Sequence, residues 1–360
     1  PSSLSIVHTP YHLLLAYGFA KTYRSNRTSR LIVVADFDSA DLFAKVLRSD
    51  PENPFKEIIE LPGNFSTGST SRYARYLVQA KNSRAVRHLL RSWGSSEVIV
   101  FNDSRAEGQS ALHYNHAKGG ENIYIEDGLG AYSSSRFRRP KSWELLATKL
   151  FFGPWYQPVE VNGTHPLYDR HIVLMPEMVR PELKGAKICQ LRSEVLLSSE
   201  GFCRRLLNET MPAMPAPSSV LLMPSSEGLV GEKGRQIARS YGTIVGRMAE
   251  AYGPVAVKFH PREEREEMFS EVNGEGIIKV PKCLPAEAIL IPFRCSAKVL
   301  VGGVTTTMMT GSIILGAEAR VATTAGVEGM EEGGAEDRAL LSKLKVEVPA
   351  SIDDLFRRYE

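Results

Sequence analysis

Two adjacent carboxylates stand at the end of an apolar segment in the first half of the chain. The run Ile123-Tyr-Ile predicts a buried strand, and Glu126, Asp127 and Gly128 follow it directly. In open α/β sheets, the carboxyl ends of parallel strands form the ligand crevice. Two neighbouring acids repel each other, which can raise one pKa towards a value useful for a general base, and Gly128 would allow a sharp turn beside them. Glu126 and Asp127 are therefore candidate catalytic residues; the alternative is that they cap the next helix.

A histidine–proline pair ends an apolar segment in the second half, Val255-Ala-Val-Lys-Phe. Pro261 disfavours a helical conformation at His260, so the imidazole is expected at the exit of the strand. There it could hydrogen-bond to an anionic leaving group, and Lys258 would add positive charge nearby. The alternative is a histidine that only satisfies a loop carbonyl group.

Hydroxyl groups follow two further apolar segments of the second half. The run Val299-Leu-Val-Gly-Gly-Val leads to three threonines before a predicted helix. Backbone N–H groups and the helix dipole at such a position can bind a phosphate, although the lysine of a triphosphate-binding loop is missing. A capping threonine and turn-forming serines are the alternatives. The candidate nucleotide-binding residues are Thr305, Thr306 and Thr307 here, and Ser225 and Ser226 after segment 220–223.

Alternating strands and helices would bring these positions to common sheet edges. Strands are predicted at 5–7, 31–35, 57–61, 97–101 and 122–125, and again at 220–223, 255–259, 276–280 and 298–301. Helices are predicted at 11–23, 41–47, 72–93, 233–252 and 307–315. Strands that are separated by helices indicate parallel, doubly wound sheets.

The chain is predicted to contain two such α/β domains. Three prolines among small residues at 211–219 indicate a linker, so the N-terminal domain is 1–210 and the C-terminal domain is 220–360. The last helix, predicted at 351–359, could pack back on the N-terminal domain. Two Rossmann-like domains that face each other across a cleft form the GT-B arrangement, and this is the predicted fold class.

Composition sets outer limits on the function. The 360 residues correspond to about two domains, and 43% hydrophobic with 24% charged residues excludes collagen-like, coiled-coil and largely disordered proteins. A net charge of +3 is too small for a dedicated nucleic-acid binder. The four cysteines form no C-x-x-C pair, which argues against structural zinc and suits a reducing cytoplasm. No apolar run is long enough to predict a membrane span.

Taken in chain order, the motifs resemble those of a known enzyme group. The acid–acid–glycine run at Glu126, the pair His260-Pro261 and the hydroxyl run from Thr305 resemble the three motifs of the bacterial sialyltransferase and polysialyltransferase families, which share the GT-B fold. The opening segment 7–13 also resembles the first strand-to-helix loop of these enzymes. The third motif departs from the family pattern, because it is all threonine rather than serine-led.

The resemblance implies an inverting glycosyltransferase. The donor would be CMP-sialic acid or a related CMP-nonulosonic acid, and the acceptor would be a glycan of a cell-surface polysaccharide or lipooligosaccharide. Glu126 would be the general base with Asp127 in support, His260 would act on the CMP phosphate, and Thr305 and Thr306 would bind it. Neither a metal ion nor another cofactor is implied. The sequence leaves open which of the two acids is the base.

Three other functions remain open at this stage. The donor could carry Kdo, pseudaminic acid or legionaminic acid instead of sialic acid. The chain could be a GT-B epimerase or transferase that uses UDP-sugars. It could also be a non-catalytic protein that binds a nucleotide or an anionic glycan.

Basic and aromatic residues mark two further segments. Segment 141–156 is rich in aromatic residues and follows Arg136, Arg138 and Arg139. This composition suits a peripheral contact with the inner face of a membrane, or an acidic or glycolipid acceptor. A core helix that ends at Gly153-Pro154 is the favoured interpretation. The basic helix at 72–93 could guide an anionic acceptor, or it could simply carry a solvated face.

Overall fold

Short apolar runs form a seven-stranded parallel sheet in the first part of the chain. In the computed structural model, its strands are β1 (Ser2–Val7), β2 (Thr28–Ala35), β3 (Phe55–Pro62), β4 (Glu97–Val100), β5 (Glu121–Ile125), β6 (Arg170–Val173) and β7 (Ile188–Gln190). Their order in the sheet is β3-β2-β1-β4-β5-β6-β7. The structure describes residues 2–357 except for 64–71, 134–135, 139–140, 186, 226–228, 230, 262 and 331.

Helices connect the first six of these parallel strands, 3₁₀ turns lie between β6 and β7, and one short helix follows β7. The helices are α1 (Pro10–Tyr23), α2 (Ala40–Ser49), α3 (Arg72–Trp93), α4 (Ala106–Ala117), α5 (Ser142–Phe152) and α6 (Glu194–Leu197), with 3₁₀ turns at Gly128–Ala131, Pro176–Met178 and Pro181–Leu183. All four residues of β4 are buried. Ile6, Ile32 and Val100 share one apolar cluster with residues of α3 and α4. The β-branched composition of the central strands thus reflects burial on both sheet faces.

A second parallel sheet of five strands follows. Its strands are β8 (Ser219–Leu222), β9 (Val255–Lys258), β10 (Ile277–Val280), β11 (Val299–Gly302) and β12 (Arg320–Thr323), in the order β10-β9-β8-β11-β12. The helices are α7 (Glu200–Thr210), α8 (Gly231–Tyr252), α9 (Glu287–Leu290), α10 (Thr306–Leu315), α11 (Ala335–Lys343) and α12 (Ile352–Phe356), with 3₁₀ turns at Glu266–Phe269 and Thr324–Gly326. Val257, Val301 and Ile244 are buried in the core of this unit.

The chain divides into two units, Pro1–Phe202 and Cys203–Glu360. The division falls near the start of α7, and α7 ends at Thr210, where the predicted linker begins. Residues 211–218 form neither helix nor strand. Among the described residues, no helix is long and apolar enough to cross a membrane.

The last helix packs within the second unit. Leu355 and Phe356 of α12 are buried in its apolar core, and the Arg247 guanidinium lies over the Phe356 ring at 4.3 Å. These contacts describe how the helix packs on its own unit; its packing on the N-terminal domain stays a prediction.

The predicted alternation of strands and helices is confirmed in both units, with two parallel sheets as expected. Three strands are missing from the prediction: β6, β7 and β12. Each of them holds only two consecutive apolar residues, in the runs Arg-His-Ile-Val, Ile-Cys-Gln and Arg-Val-Ala-Thr. Such short runs leave little pattern to recognise.

The aromatic segment after residue 141 forms α5 and differs from the favoured interpretation in one respect. The helix ends at Phe152, as predicted, and Phe152 is buried. Trp143, Leu146 and Leu150, however, are 60%, 63% and 79% exposed. The helix therefore places one apolar side inwards and a second apolar side outwards, so it is only partly a core helix.

Candidate active site

The chain order of the first sheet reverses between β1 and β4. Crevices for ligands open at such a switch point, outside the carboxyl ends of the strands. Three polar side chains come from this edge: His12 from the helix after β1, Asn102 after β4 and Asp127 after β5. All three meet in one hydrogen-bonded group.

Asp127 is the accessible acid of the predicted pair. Its side chain is 25% exposed, and three donors hold it in place. Oδ1 accepts from the His12 ring, while Oδ2 accepts from Asn162 Nδ2 at 2.7 Å and from Asn102 Nδ2 at 3.3 Å. The Asp127 side chain makes no capping bond to the following 3₁₀ turn, so the capping alternative does not describe it. Gly128 turns the chain here with φ of 79°, as predicted.

His12 is held rigidly behind Asp127. Thr9 caps α1 by accepting from the backbone N–H of His12, and Pro10 begins the helix. The fully buried His12 ring stacks on Phe101 with centroids 5.0 Å apart. Its Nδ1 accepts from the backbone N–H of His8 at 3.3 Å, which leaves the Nε2 proton to be donated to Asp127.

Glu126 lies in a different environment from its neighbour. It is fully buried, and its carboxylate accepts from Tyr132 Oη, from the Leu174 backbone N–H at 2.7 Å and from Tyr11 Oη at 3.4 Å. Burial raises the pKa of Glu126 to about 7, against the lowering effect of these donors. The raised pKa of one acid of the pair agrees with the prediction. Its main cause is desolvation, and repulsion from Asp127 contributes less.

A third acid supports the loop that carries Asn162. Asp103 is fully buried and accepts from the backbone N–H groups of Gly163 and His165 at 3.0 and 2.9 Å. Its own N–H donates to Asn162 Oδ1 at 3.2 Å. Burial raises the pKa of Asp103 to about 7. Asp103 therefore positions Asn162, which in turn positions Asp127.

The two buried acids predict a pH-dependent stability. The folded pKa of each is raised, so the folded chain binds more protons than the unfolded chain between about pH 4.5 and 7, and its stability falls as pH rises through this window. Across this window, Glu126 lowers the free energy of unfolding by roughly 3 kcal/mol. We expect Glu126→Gln to flatten the dependence of the melting temperature on pH between 5 and 7. An unchanged slope would contradict this; Asp103 stays in the variant, so part of the slope should persist.

The carboxyl edge of the second sheet carries the remaining predicted residues. His260 follows β9, Ser225 follows β8 and Thr305 follows β11, and these three strands are neighbours in the order β9-β8-β11. Strands are spaced about 4.8 Å apart, so the exits of β9 and β11 lie roughly 10 Å from each other. His260 and Ser225 are partly exposed and Pro261 is exposed. Ser226 lies outside the described residues.

Thr305 stands at the start of α10 with an unusual hydroxyl group. It occupies the N-cap position, yet its side chain makes no capping hydrogen bond. Its Oγ1 is buried and has no hydrogen-bond partner among the residues that the structure describes. Thr306 and Thr307 form the first turn of the helix and are partly buried. The Thr305 hydroxyl group therefore lies where an anion at the start of the helix could accept a hydrogen bond from it.

A carboxylate already lies at the same place. Glu332 accepts a hydrogen bond from the backbone N–H of Val304, and its side chain leaves no room for a Cβ on Gly303. Burial raises the pKa of Glu332. A phosphate that binds here would have to share the Val304 amide with this acid or displace it.

Lys258 is less available than the sequence suggests. It is 5% exposed, and its ammonium donates to the backbone carbonyl groups of Phe259 and Lys282. Burial lowers its pKa to about 8. Lys258 therefore adds charge beneath the edge, but its donors already hold the loop together.

The predicted residues fall into two sets, one at the carboxyl edge of each sheet. The prediction missed His12, Asn102 and Asn162, which hold Asp127. His12 lies in the opening segment that resembles a family loop, so this signal was present. Asn102 directly follows the predicted strand 97–101, so its place at a strand end was also a signal, whereas Asn162 lies in a loop that no predicted strand precedes. In the part of the chain that the structure describes, no three His, Cys, Asp or Glu side chains form a possible metal site.

Comparison with solved structures identifies the fold. UDP-GlcNAc 2-epimerase from Neisseria meningitidis, solved with UDP-GlcNAc, is 12% identical with a TM-score of 0.59, over 100% of this chain and 90% of the other. S. aureus MnaA with UDP is 9% identical with a TM-score of 0.57, over 99% of this chain and 86% of the other. A UDP-glucosyltransferase from Polygonum tinctorium is 10% identical with a TM-score of 0.52, over 99% of this chain and 88% of the other. No protein-family model and no curated sequence matches. The chain has the GT-B fold, with two Rossmann-like α/β units.

Proposed function

We propose that this protein is an inverting glycosyltransferase that transfers a sugar from a nucleotide-activated donor to a glycan hydroxyl group. The observation that carries the proposal is Asp127. It is a partly exposed carboxylate at the switch point of a parallel sheet, and three donors hold it in one orientation. A general base needs such a position, because it must reach an incoming hydroxyl group without reorganising.

Asp127 is the proposed base in preference to Glu126. The resemblance assigns that role to Glu126, but Glu126 is fully buried and its oxygens face Tyr132, Leu174 and Tyr11. In the proposed step, Asp127 takes the proton of the acceptor hydroxyl group as that oxygen attacks the anomeric carbon. The bond from this carbon to the donor phosphate breaks, and the nucleotide leaves with the electron pair. A single displacement of this kind inverts the anomeric configuration.

The second unit would handle the leaving group. His260, Ser225 and Thr305 follow three adjacent strands, and no described residue is a hydrogen-bond partner of the buried Thr305 hydroxyl group. A donor phosphate at the start of α10 would supply that partner and would benefit from the helix dipole. His260 would stabilise the charge that develops on the phosphate or protonate it.

The preferred donor is CMP-sialic acid or a related CMP-nonulosonic acid. The support is the order of the three motifs, together with their positions at strand exits. The acceptor would be a glycan of a cell-surface polysaccharide or lipooligosaccharide. The reacting groups in this proposal are all side chains and backbone amides, and it includes no metal ion.

A UDP-sugar enzyme is the second candidate. The motivation is that the structural neighbours include a UDP-GlcNAc 2-epimerase, a protein solved with UDP and a UDP-glucosyltransferase. The identities are 9% to 12%, so the likeness shows the fold alone. Either donor would leave a nucleotide phosphate at the edge of the second sheet.

The two donors can be separated by the melting temperature of the purified chain. At about one hundred times its dissociation constant, a nucleotide adds about 2.7 kcal/mol to stability, which corresponds to a rise of roughly 5 °C. We expect CMP to give this rise and UDP a smaller one. Cytidine, which lacks the phosphate, is the control and should raise the melting temperature only slightly. A larger rise with UDP would replace the CMP-sugar assignment by the second candidate.

A further inference from the structure

Two helices of the first unit expose apolar side chains that the fold does not use. On α5, Trp143, Leu146 and Leu150 are 60%, 63% and 79% exposed, at a spacing that places them on one side of the helix. On α3, Tyr73 and Leu77 are 66% and 53% exposed. We call these five side chains the apolar face.

The apolar face lies outside a packed contact between the same two helices. Tyr76 of α3 contacts the rings of Phe151 and Phe152 of α5, each with centroids 5.6 Å apart. Tyr73 and Leu77 lie within one turn of Tyr76, and Leu150 adjoins Phe151. The contacts of Tyr76 with Phe151 and Phe152 therefore hold α3 and α5 together. The exposed apolar side chains are carried by the same two helices, next to these contacts.

Within α3 and α5, the described side chains that are both charged and exposed have one sign. The sequence of α3 contains no acid, and its exposed charged side chains are basic. The one acid of α5, Glu144, is 4% exposed and accepts from Arg138. Lys149 is exposed on α5. The exposed basic residues of α3 are Arg75, Lys81, Arg84, His88 and Arg91.

We propose that the apolar face docks on a lipid bilayer that contains anionic lipids. An interfacial helix inserts tryptophan and leucine side chains at the boundary between headgroups and acyl chains, while nearby lysines and arginines face anionic headgroups. Each such basic residue strengthens binding to an anionic surface. A symmetric dimer through this face would bring like charges together, which disfavours a second copy of the chain as the occupant.

Vesicle sedimentation with the full chain tests the proposal. Vesicles of phosphatidylcholine alone are compared with vesicles of two parts phosphatidylcholine and one part phosphatidylglycerol. We expect the protein to sediment with the anionic vesicles and much less with the neutral ones. The double variant Trp143→Ser/Leu150→Ser should lower the partition coefficient at least about tenfold, since two exposed side chains lose their insertion energy. Equal sedimentation of wild type and double variant would overturn the proposal.

Two matched measurements separate insertion from other causes. Lys149→Glu should weaken binding to anionic vesicles but leave the weak binding to neutral vesicles unchanged. Trp143→Phe should keep the binding and abolish the blue shift of tryptophan fluorescence that insertion causes. If light scattering shows a dimer that the double variant dissolves, the face joins two copies and the lipid proposal is wrong. None of these measurements depends on catalytic activity, so their outcome is independent of the proposed function.

Discussion

Replacement of Asp127 by asparagine should lower the transfer rate about a thousandfold and change the donor affinity by less than about threefold. Asparagine has nearly the same shape and keeps one oxygen acceptor for His12 or for Asn162. Its amide cannot take up the proton of the acceptor hydroxyl group, so only the chemical step should suffer. The rate is measured at saturating donor and acceptor, and the affinity by calorimetry with the nucleotide.

Glu126→Gln is the matched control, because it neutralises the neighbouring acid and leaves Asp127 in place. Glu126 binds Tyr132 and the Leu174 amide deep in the first unit, so we expect a change in stability and a transfer rate within about tenfold of wild type. The reverse pattern, an inactive but folded Glu126→Gln and an active Asp127→Asn, would assign the base to Glu126, as the family resemblance implies.

A third pattern would favour the non-catalytic alternative. If both variants bind the nucleotide normally, and if the biological activity of the protein is also unchanged in both, neither carboxylate performs chemistry. The chain would then be a two-unit binding protein with the same fold. Asp127 separates the two classes of protein. A binding protein would lose only local hydrogen bonds when Asp127 is replaced, whereas the proposed enzyme would lose its general base.

The alternation of apolar runs was enough to predict both sheets, because buried parallel strands are nearly uniform in their β-branched composition. It was also enough to place Glu126, Asp127, His260 and Thr305 at strand ends. Position along the chain predicts which edge of a sheet a residue occupies, since all strands of a parallel sheet end at the same edge. The short strands β6, β7 and β12 were missed.

The choice between Glu126 and Asp127 could not be predicted in this way. Adjacent residues at the end of a strand point to different sides, and their surroundings depend on Tyr132, Asn162 and His12, which come from separate loops and helices. The position of Glu332 beside Gly303 could not be predicted from the sequence either, because it depends on how two loops pack against each other. Local pattern specifies the elements, whereas the accessibility of a side chain is decided by distant contacts.

Replacement of His260 by alanine should lower the transfer rate by about a hundredfold to ten-thousandfold, the usual range for a lost acid or base. The side chain is partly exposed at the exit of β9, beside the strand that leads to Ser225, and it is the titratable group that the motif order assigns to the donor phosphate. The loss should appear mainly in the rate at saturating donor, because charge on the leaving phosphate is greatest in the transition state.

A second variant separates the two roles that His260 could have. Asparagine keeps a neutral N–H donor, so His260→Asn should recover part of the rate if a hydrogen bond to the phosphate is what matters, and none if the imidazole must carry a proton. His116→Ala, an exposed histidine on α4, is the matched control and should retain full activity. Equal rates for His260→Ala and wild type would remove His260 from the mechanism and leave the leaving phosphate to the amides and hydroxyl groups at the start of α10.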